Sequence, residues 1–581
     1  MPPTMPLSRS LLLLTFLSRR SFSSSPTRTL PVIKGNNYVS GTIYKTRALV
    51  QAQKALTDYL HSTRGLPFIF ADQIAANSLF SLSNLIRKIH FSAFTFSDAF
   101  QTLLRYHPIN EFEFFLESIG INHDEVPFFL PKNKFFFSED SNVLDASLAL
   151  IQYGFPWNKL GVLYKEEVSI FSLSANELTE RLNGFKEWFG FDNNLCVVGV
   201  CLAFPYLLSR EGELGSDLDA VFGNLKRVFV DFDMRNCVEG NVDAWYEVCC
   251  KVRVLYDLDC EKGKVGELMC RRKELFLECP KEVLVRKVGY FGEFGFGKEA
   301  LGLFLLHNPE ILNLDIETRV ISVLGLLKHF GMDTKELRCV SRKYPYVLGR
   351  NRMENLPGVM KALDLQEWCL DKIRSSNGQL LATYVIGCPD EDINKEFVDG
   401  LKSIDSSRFP NHTMNKLDFL KRIGFGENAL TMKALNILCG SSSELQSRFD
   451  FLLSKGIVHS KLCLMIKTRP KILSQHPERL EQKLNFWREE LGSSLQNLYK
   501  FPAFLSFDLE NRTKPRYYFY VWLRKTGLYT KKYAISCMLY PSEKQFIQRL
   551  FEIHPAAPKQ YLERFSYIKV YLHNCEETSL T

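Results

Sequence analysis

Glycines followed by an apolar residue recur along this chain at nearly constant spacing. Gly120, Gly154, Gly190, Gly295, Gly331, Gly424, Gly456, Gly492 and Gly527 are separated by 34, 36, 105, 36, 93, 32, 36 and 35 residues, and each long gap accommodates three units. Five residues ahead stand Phe115, Ala149, Phe185, Tyr290, Leu326, Phe419, Phe451, Trp487 and Trp522, seven of the nine aromatic. The next residue is apolar in eight cases: Ile121, Phe155, Phe191, Phe296, Met332, Phe425, Ile457 and Leu528. This pattern predicts a helix that ends on a left-handed glycine, with the following side chain folded back onto the last turn. A second helix then begins; Asp333 and Glu336 have the spacing of a capping box.

A second mark, Pro-x-apolar-Leu, follows the glycine by about fourteen residues at Pro205, Pro309, Pro345 and Pro470, with Pro502 four residues early and Pro541 in frame without the Leu. Proline lacks an N–H and suits the first position of a helix, so it ends the second helix and opens a short third one. No such unit buries its apolar face alone; neighbours must stack into a continuous core. The expected fold is therefore all-α, an α-solenoid superhelix of roughly 35-residue repeats, each two helices plus a short Pro-led third helix. Residues 98–545 should form the repeat array without β-sheet, with Trp487 and Phe451 in its core. The frame degenerates over 210–285 and 350–410. Residues 36–97 are expected to be a helical segment before the array and 546–581 a tail after it.

The frame, its period and the N-terminal composition described below resemble the mitochondrial transcription termination factor (mTERF) family, the plant branch in particular. The resemblance covers about residues 98–545. The tetratricopeptide signature and a pentatricopeptide-like paired polar code are absent. The resemblance implies a half-doughnut superhelix that holds nucleic acid, double-stranded DNA or organellar RNA, against a basic concave face. It also implies roles in organellar transcription, its termination, or RNA processing and intron splicing.

Composition agrees with a folded chain: of 581 residues, 46% are hydrophobic and 24% charged, with 46 Phe supplying recurrent anchors. Leu11–Leu14 is too short to cross a bilayer, and no other stretch predicts membrane insertion. The fifteen Cys form no CxxC pair and have no matching His spacing, so neither metal nor disulfide framework is expected, and no cofactor. Gly295-Phe296-Gly297-Lys298-Glu299-Ala300 and Gly424-Phe425-Gly426-Glu427-Asn428-Ala429 match a dinucleotide fingerprint, but both fall on one repeat position after a helix. They read as a helix end and restart. With no phosphate-binding Walker loop, HExxH or nucleophile elbow, and with His dispersed, no catalytic residue is assigned and an enzyme is not expected.

Residues 1–50 hold seven Lys and Arg and no acidic residue. Residues 1–35, rich in Arg and Ser, read as an organellar transit peptide directing the chain to the mitochondrial matrix, with the chloroplast as alternative. A secretory signal fits less well, because Arg19 and Arg20 follow the apolar run directly. Residues 411–581 carry a net +11 and residues 51–410 a net −10. Cations concentrated at one end suit an anionic polymer. The candidate nucleic-acid-binding residues are Arg342, Lys343 and Arg350; Lys467, Arg469 and Lys471; and Arg512, Lys514, Arg516, Arg524, Lys525, Lys531 and Lys532. The interleaved Tyr517, Tyr518, Phe519, Tyr520, Trp522, Tyr529 and Tyr533 read more as helix core than as a base-stacking platform. A protein-binding scaffold, with acidic residues such as Glu213, Asp217 and Asp219 docking a protein partner, is the competing expectation.

Overall fold

One repeat shows how the local sequence builds the rest. Ser441 caps the helix Ser442–Ser454, and Glu444 reaches back to the Ser441 N–H. The helix closes as the Gly456 N–H donates to Leu453 O and the Ile457 N–H to Leu452 O, with Gly456 at φ 91°. That left-handed closure satisfies terminal carbonyls and turns Ile457 inward, where it is buried. The second helix, His459–Thr468, stops at Arg469, and Pro470 opens a 3-10 helix to Ser474.

The computed structural model describes residues 40–89, 96–189, 193–209, 240–258, 265, 268, 272–528 and 534–565. Residues 1–35, Gly190 with Phe191, the acidic trio Glu213, Asp217 and Asp219, and Lys531 and Lys532 lie outside them. All eight described frame glycines have positive φ, from 58° at Gly492 to 124° at Gly154. Pro205, Pro309, Pro470 and Pro502 each open a 3-10 helix. The chain is an all-α repeat protein, as the frame predicts. It divides into two units, residues 1–289 with 298–309 and residues 290–297 with 310–581.

In the first unit, the helices Asn194–Ala203 and Val242–Tyr256 pack closely at Gly199, where a Cβ would stand 2.7 Å from the Trp245 Cβ. Cys196, Cys201, Cys249 and Cys250 are buried there, and burial pushes the Cys201 and Cys249 thiols well up. They behave as small apolar groups.

The second unit departs from the expected pattern in two places. Val320–Ser322 and Arg350–Arg352 pair as an antiparallel ribbon, Val320 opposite Arg352 and Ser322 opposite Arg350. An array without β-sheet was expected; the difference arises because Pro345 opens a turn instead of a 3-10 helix, and Gly349, at φ 105°, sends the chain out extended. Further on, Asp364 stands at φ 63°, and the Leu365 N–H donates to Met360 O. An aspartate thus closes the helix Leu356–Leu363, which hides this repeat from a search for glycine.

A glycine seam joins two segments of this unit. The Gly426 N–H donates to Tyr346 O and the Glu427 N–H to Arg350 O, at 3.0 and 2.9 Å. A Cβ at Gly426 would stand 2.2 Å from Leu348 O, and one at Gly349 2.6 Å from Glu427 O, so only glycine fits at either position. The Asn428 amide donates to Tyr346 O and Leu348 O while its oxygen caps the helix Ala429–Ile437. This is what the second dinucleotide-like motif does.

At the aromatic position, Phe115, Tyr290, Leu326, Phe419 and Trp487 are buried, as is Ala149. Phe185, Phe451 and Trp522 are only half-buried, and the Lys455 ammonium lies 5.0 Å from the Phe451 ring centroid. Beyond residue 545 the described chain remains helical: Glu543–Ile553 spans that boundary, and Tyr561 of Ala557–Arg564 packs edge-on against Phe519 at 5.3 Å.

Candidate nucleic-acid interface

Cations at the ends of second helices sit where the backbone favours them, because the terminal carbonyls carry partial negative charge. The helix Thr334–Lys343 begins with the Asp333–Glu336 capping box and ends with Arg342 and Lys343, both exposed. The Lys343 ammonium lies 4.8 Å from the Tyr344 ring centroid. The Tyr344 hydroxyl holds this ammonium above the ordinary lysine range, burial opposes it, and Asp364 and Tyr499 add smaller upward contributions. At the end of the helix His459–Thr468, Lys467 is half-buried, while Arg469 and Lys471 flank Pro470 and are exposed. Among the described residues, no carboxylate forms an ion pair with Arg342, Lys343, Lys467, Arg469 or Lys471. Their charge is available to an anion.

The cations of 512–516, and Arg350, are used differently. Arg516 is 1% exposed; its guanidinium donates to Leu539 O and Pro541 O, pairs with Glu543, and lies 4.5 Å from the Phe546 ring centroid. Arg512 donates to the carbonyls of Leu539, Tyr540 and Pro541 and stacks on Phe507. Burial and the neighbouring Arg516 lower its pKa. Arg350 leaves the ribbon to donate to the carbonyls of Glu391 and Pro389. These three therefore do not belong to a phosphate-binding surface. A guanidinium presents five donors in a planar fork, and carbonyls left unpaired at a turn occupy it before any ligand arrives. Lys514 pairs with Glu510, whereas Arg524 and Lys525 are exposed in the last turn of Lys514–Lys525. The aromatics divide too: Phe519 is buried, Trp522 stacks on it at 5.5 Å, and Tyr518 is exposed.

The internal use of cations is periodic. Arg181 donates to Leu208 O, Lys416 to Leu438 O, Arg448 to Leu473 O and Lys483 to Leu505 O. Each stands eight or nine residues before a frame glycine and reaches the chain segment that follows the second helix of its own repeat. Burial lowers the Lys483 pKa to about 8 despite the opposing attraction of Asp508. This position could have been read from the sequence as a recurring cation on the first helix. Counting net charge obscured it.

The geometry is that of a helical repeat protein with exposed cations at some of its helix ends, and comparison with known proteins places it. A family model described as mTERF matches residues 246–366 and 402–547. The chain is 51% identical over 523 residues to the Arabidopsis thaliana protein "Transcription termination factor MTEF18, mitochondrial", covering 90% of this chain and 93% of that one. It therefore belongs to the mTERF family. It is also 25% identical over 290 residues to "Transcription termination factor MTERF8, chloroplastic" of the same plant, covering 46% of this chain and 56% of that protein. No solved structure matches. Among the described residues, no helix is long and apolar enough to cross a membrane.

Proposed function

We propose that this chain is a nucleic-acid-binding regulator of gene expression in the mitochondrial matrix, acting by occupying DNA or RNA. The observation that carries the reading is the set of unpaired cations at the ends of second helices, Arg342 and Lys343 on one and Lys467, Arg469 and Lys471 on another. Repeated at one position of an array, such cations follow a phosphate backbone, and binding releases its condensed counterions. Arg524 and Lys525, exposed at the end of a first helix, add to this cationic surface.

The mitochondrial destination is supported by the acid-free, basic residues 1–35 and by the name of the relative that spans nearly the whole chain. In this reading residues 1–35 are the leader, 36–97 a helical segment preceding the array, 98–545 the array, and 546–581 a tail. Transcription termination is the role the relatives' names supply; RNA processing is the alternative consistent with the same surface. Crosslinking in isolated organelles followed by sequencing of attached nucleic acid tests both, since DNA near transcript ends supports termination and intron RNA supports processing. Recovery of neither nucleic acid above an untagged control would refute the reading. A fluorescent fusion lacking residues 1–35 should remain in the cytosol, and its continued import would remove the leader assignment.

A further inference from the structure

Two lysines, one of them at a second-helix end like the cations that carry the function proposed above, converge on one tyrosine. Tyr499 closes the short helix Leu495–Lys500 and is 36% exposed. The Lys461 ammonium, from the helix His459–Thr468, lies 5.5 Å from its ring centroid, and that of Lys500 lies 6.0 Å away. Lys343 and Lys500 occupy the same repeat position, two residues before Pro345 and Pro502. Lys461 is also held from its other side: it donates to the Gln496 side-chain oxygen at 3.1 Å, and the Gln496 amide donates to Gly456 O at 2.6 Å.

We propose that Lys461 and Lys500 form a preorganised seat for one phosphodiester group of a nucleic-acid strand, with Tyr499 as a positioning residue that holds both lysines. Among the described residues no carboxylate forms an ion pair with either lysine. Two ammonium groups beside one phenol repel one another, and an anion between them relieves that repulsion. The ring and Gln496 restrict long side chains that would otherwise lose rotamer freedom on binding, which is the usual entropic cost of a lysine–phosphate contact. Because the ammonium groups already lie over the ring, a base does not stack there. The seat grips backbone on duplex and single strand alike, and this fixes position without reading sequence.

The inference rests on the nucleic-acid reading, and the test separates the two. Binding of the full chain to a duplex and to a single strand of one sequence is measured across a salt series. Lys461→Gln with Lys500→Gln should weaken binding to both about tenfold and flatten the salt slope by about 0.9 on duplex and about 0.7 on the single strand. Tyr499→Leu should weaken both about threefold with an unchanged slope, and Tyr499→Phe should restore wild-type affinity, because ring and lysines remain. Since Lys500 and Tyr499 are exposed, unchanged thermal melting is expected and separates a lost seat from a lost fold. A Lys461/Lys500 variant with wild-type slope overturns the seat while leaving the general reading in place. Tyr499→Leu that weakens only single-strand binding overturns the positioning role and makes the ring a stacking surface. Loss of polyglutamate binding with nucleic-acid binding intact assigns the lysines to an acidic protein instead. A wild-type chain that binds neither duplex nor single strand removes the reading and the seat together.

Discussion

Residues 461–500 and residues 512–525 both mix Lys and Arg with aromatics, yet the protein uses the two stretches in opposite ways. In the first, Lys461, Lys467, Arg469, Lys471 and Lys500 reach the surface without carboxylate partners, and Lys483 alone turns inward. In the second, Arg512 and Arg516 are bound to the carbonyls of 539–541, and only Arg524 and Lys525 remain exposed and unpaired. The difference is one of helix position. Cations at a second-helix end point past the last carbonyls into solvent, whereas cations early or midway along a first helix, such as Arg516 and Lys483, face the segment that closes the repeat. Net charge therefore overstates what a polyanion meets.

The largest effect that bears on this contrast lies in the core beneath the first stretch. Trp487 packs edge-on against Phe504 at 4.8 Å and donates to Ser494 O, so Trp487→Ala should cost about 3–5 kcal/mol and weaken both regions together. Half-buried Phe451 should cost less than half as much when changed to Ala, and chemical denaturation of the two variants compares them.

Next comes Arg516→Met, which leaves the carbonyls of Leu539 and Pro541 with Arg512 as their remaining donor and Glu543 without its partner, and should cost about 1–3 kcal/mol. Nucleic-acid affinity per folded molecule should not change. A variant that melts normally but binds weakly would reverse the assignment of Arg516.

The complementary change, Lys467, Arg469 and Lys471 together to Ala, should leave melting within about 0.5 kcal/mol, as for surface substitutions. It should flatten the salt slope of duplex binding by about 2.7, near 0.9 for each phosphate no longer neutralised. Equal slopes for variant and wild type would show these cations to be merely solvated.

The smallest effect is a pH dependence. Lys483 binds its proton less tightly when folded, at about 8, than at the 10.5 of an ordinary lysine. The folded state thus holds fewer protons between these values, so stability should rise with pH from about 8 to about 10.5. Below that window the cost of burying the charge is fully present. Lys483→Gln should remove this rise, and a difference curve from urea melts at several pH values would show it.

The repeat frame was legible because glycine at positive φ and proline at a helix start each answer a backbone requirement that few other residues meet. Where another residue met it, as Asp364 does, the frame was lost. The ribbon at 320–352 was missed because three-residue strands leave no alternation to read. The candidate interface was half legible: the exposure of Lys343, Arg469 and Lys471 follows from their place before or beside a proline, but the burial of Arg516 depends on Leu539 and Pro541, more than twenty residues away. Lys500 and Tyr499 escaped notice because Pro502 falls four residues out of frame.

The glycine seam has a mechanical consequence. Between residues 346–350 and 426–428 the two strands of chain touch backbone to backbone, tied by amide hydrogen bonds and the Asn428 side chain. Tension applied through a bound polymer would cross this joint chiefly along main-chain bonds, with the Asn428 amide as the side chain that shares it. Such a joint is stiff until several bonds part at once, so compliance under load must come from repeats held together by side chains alone.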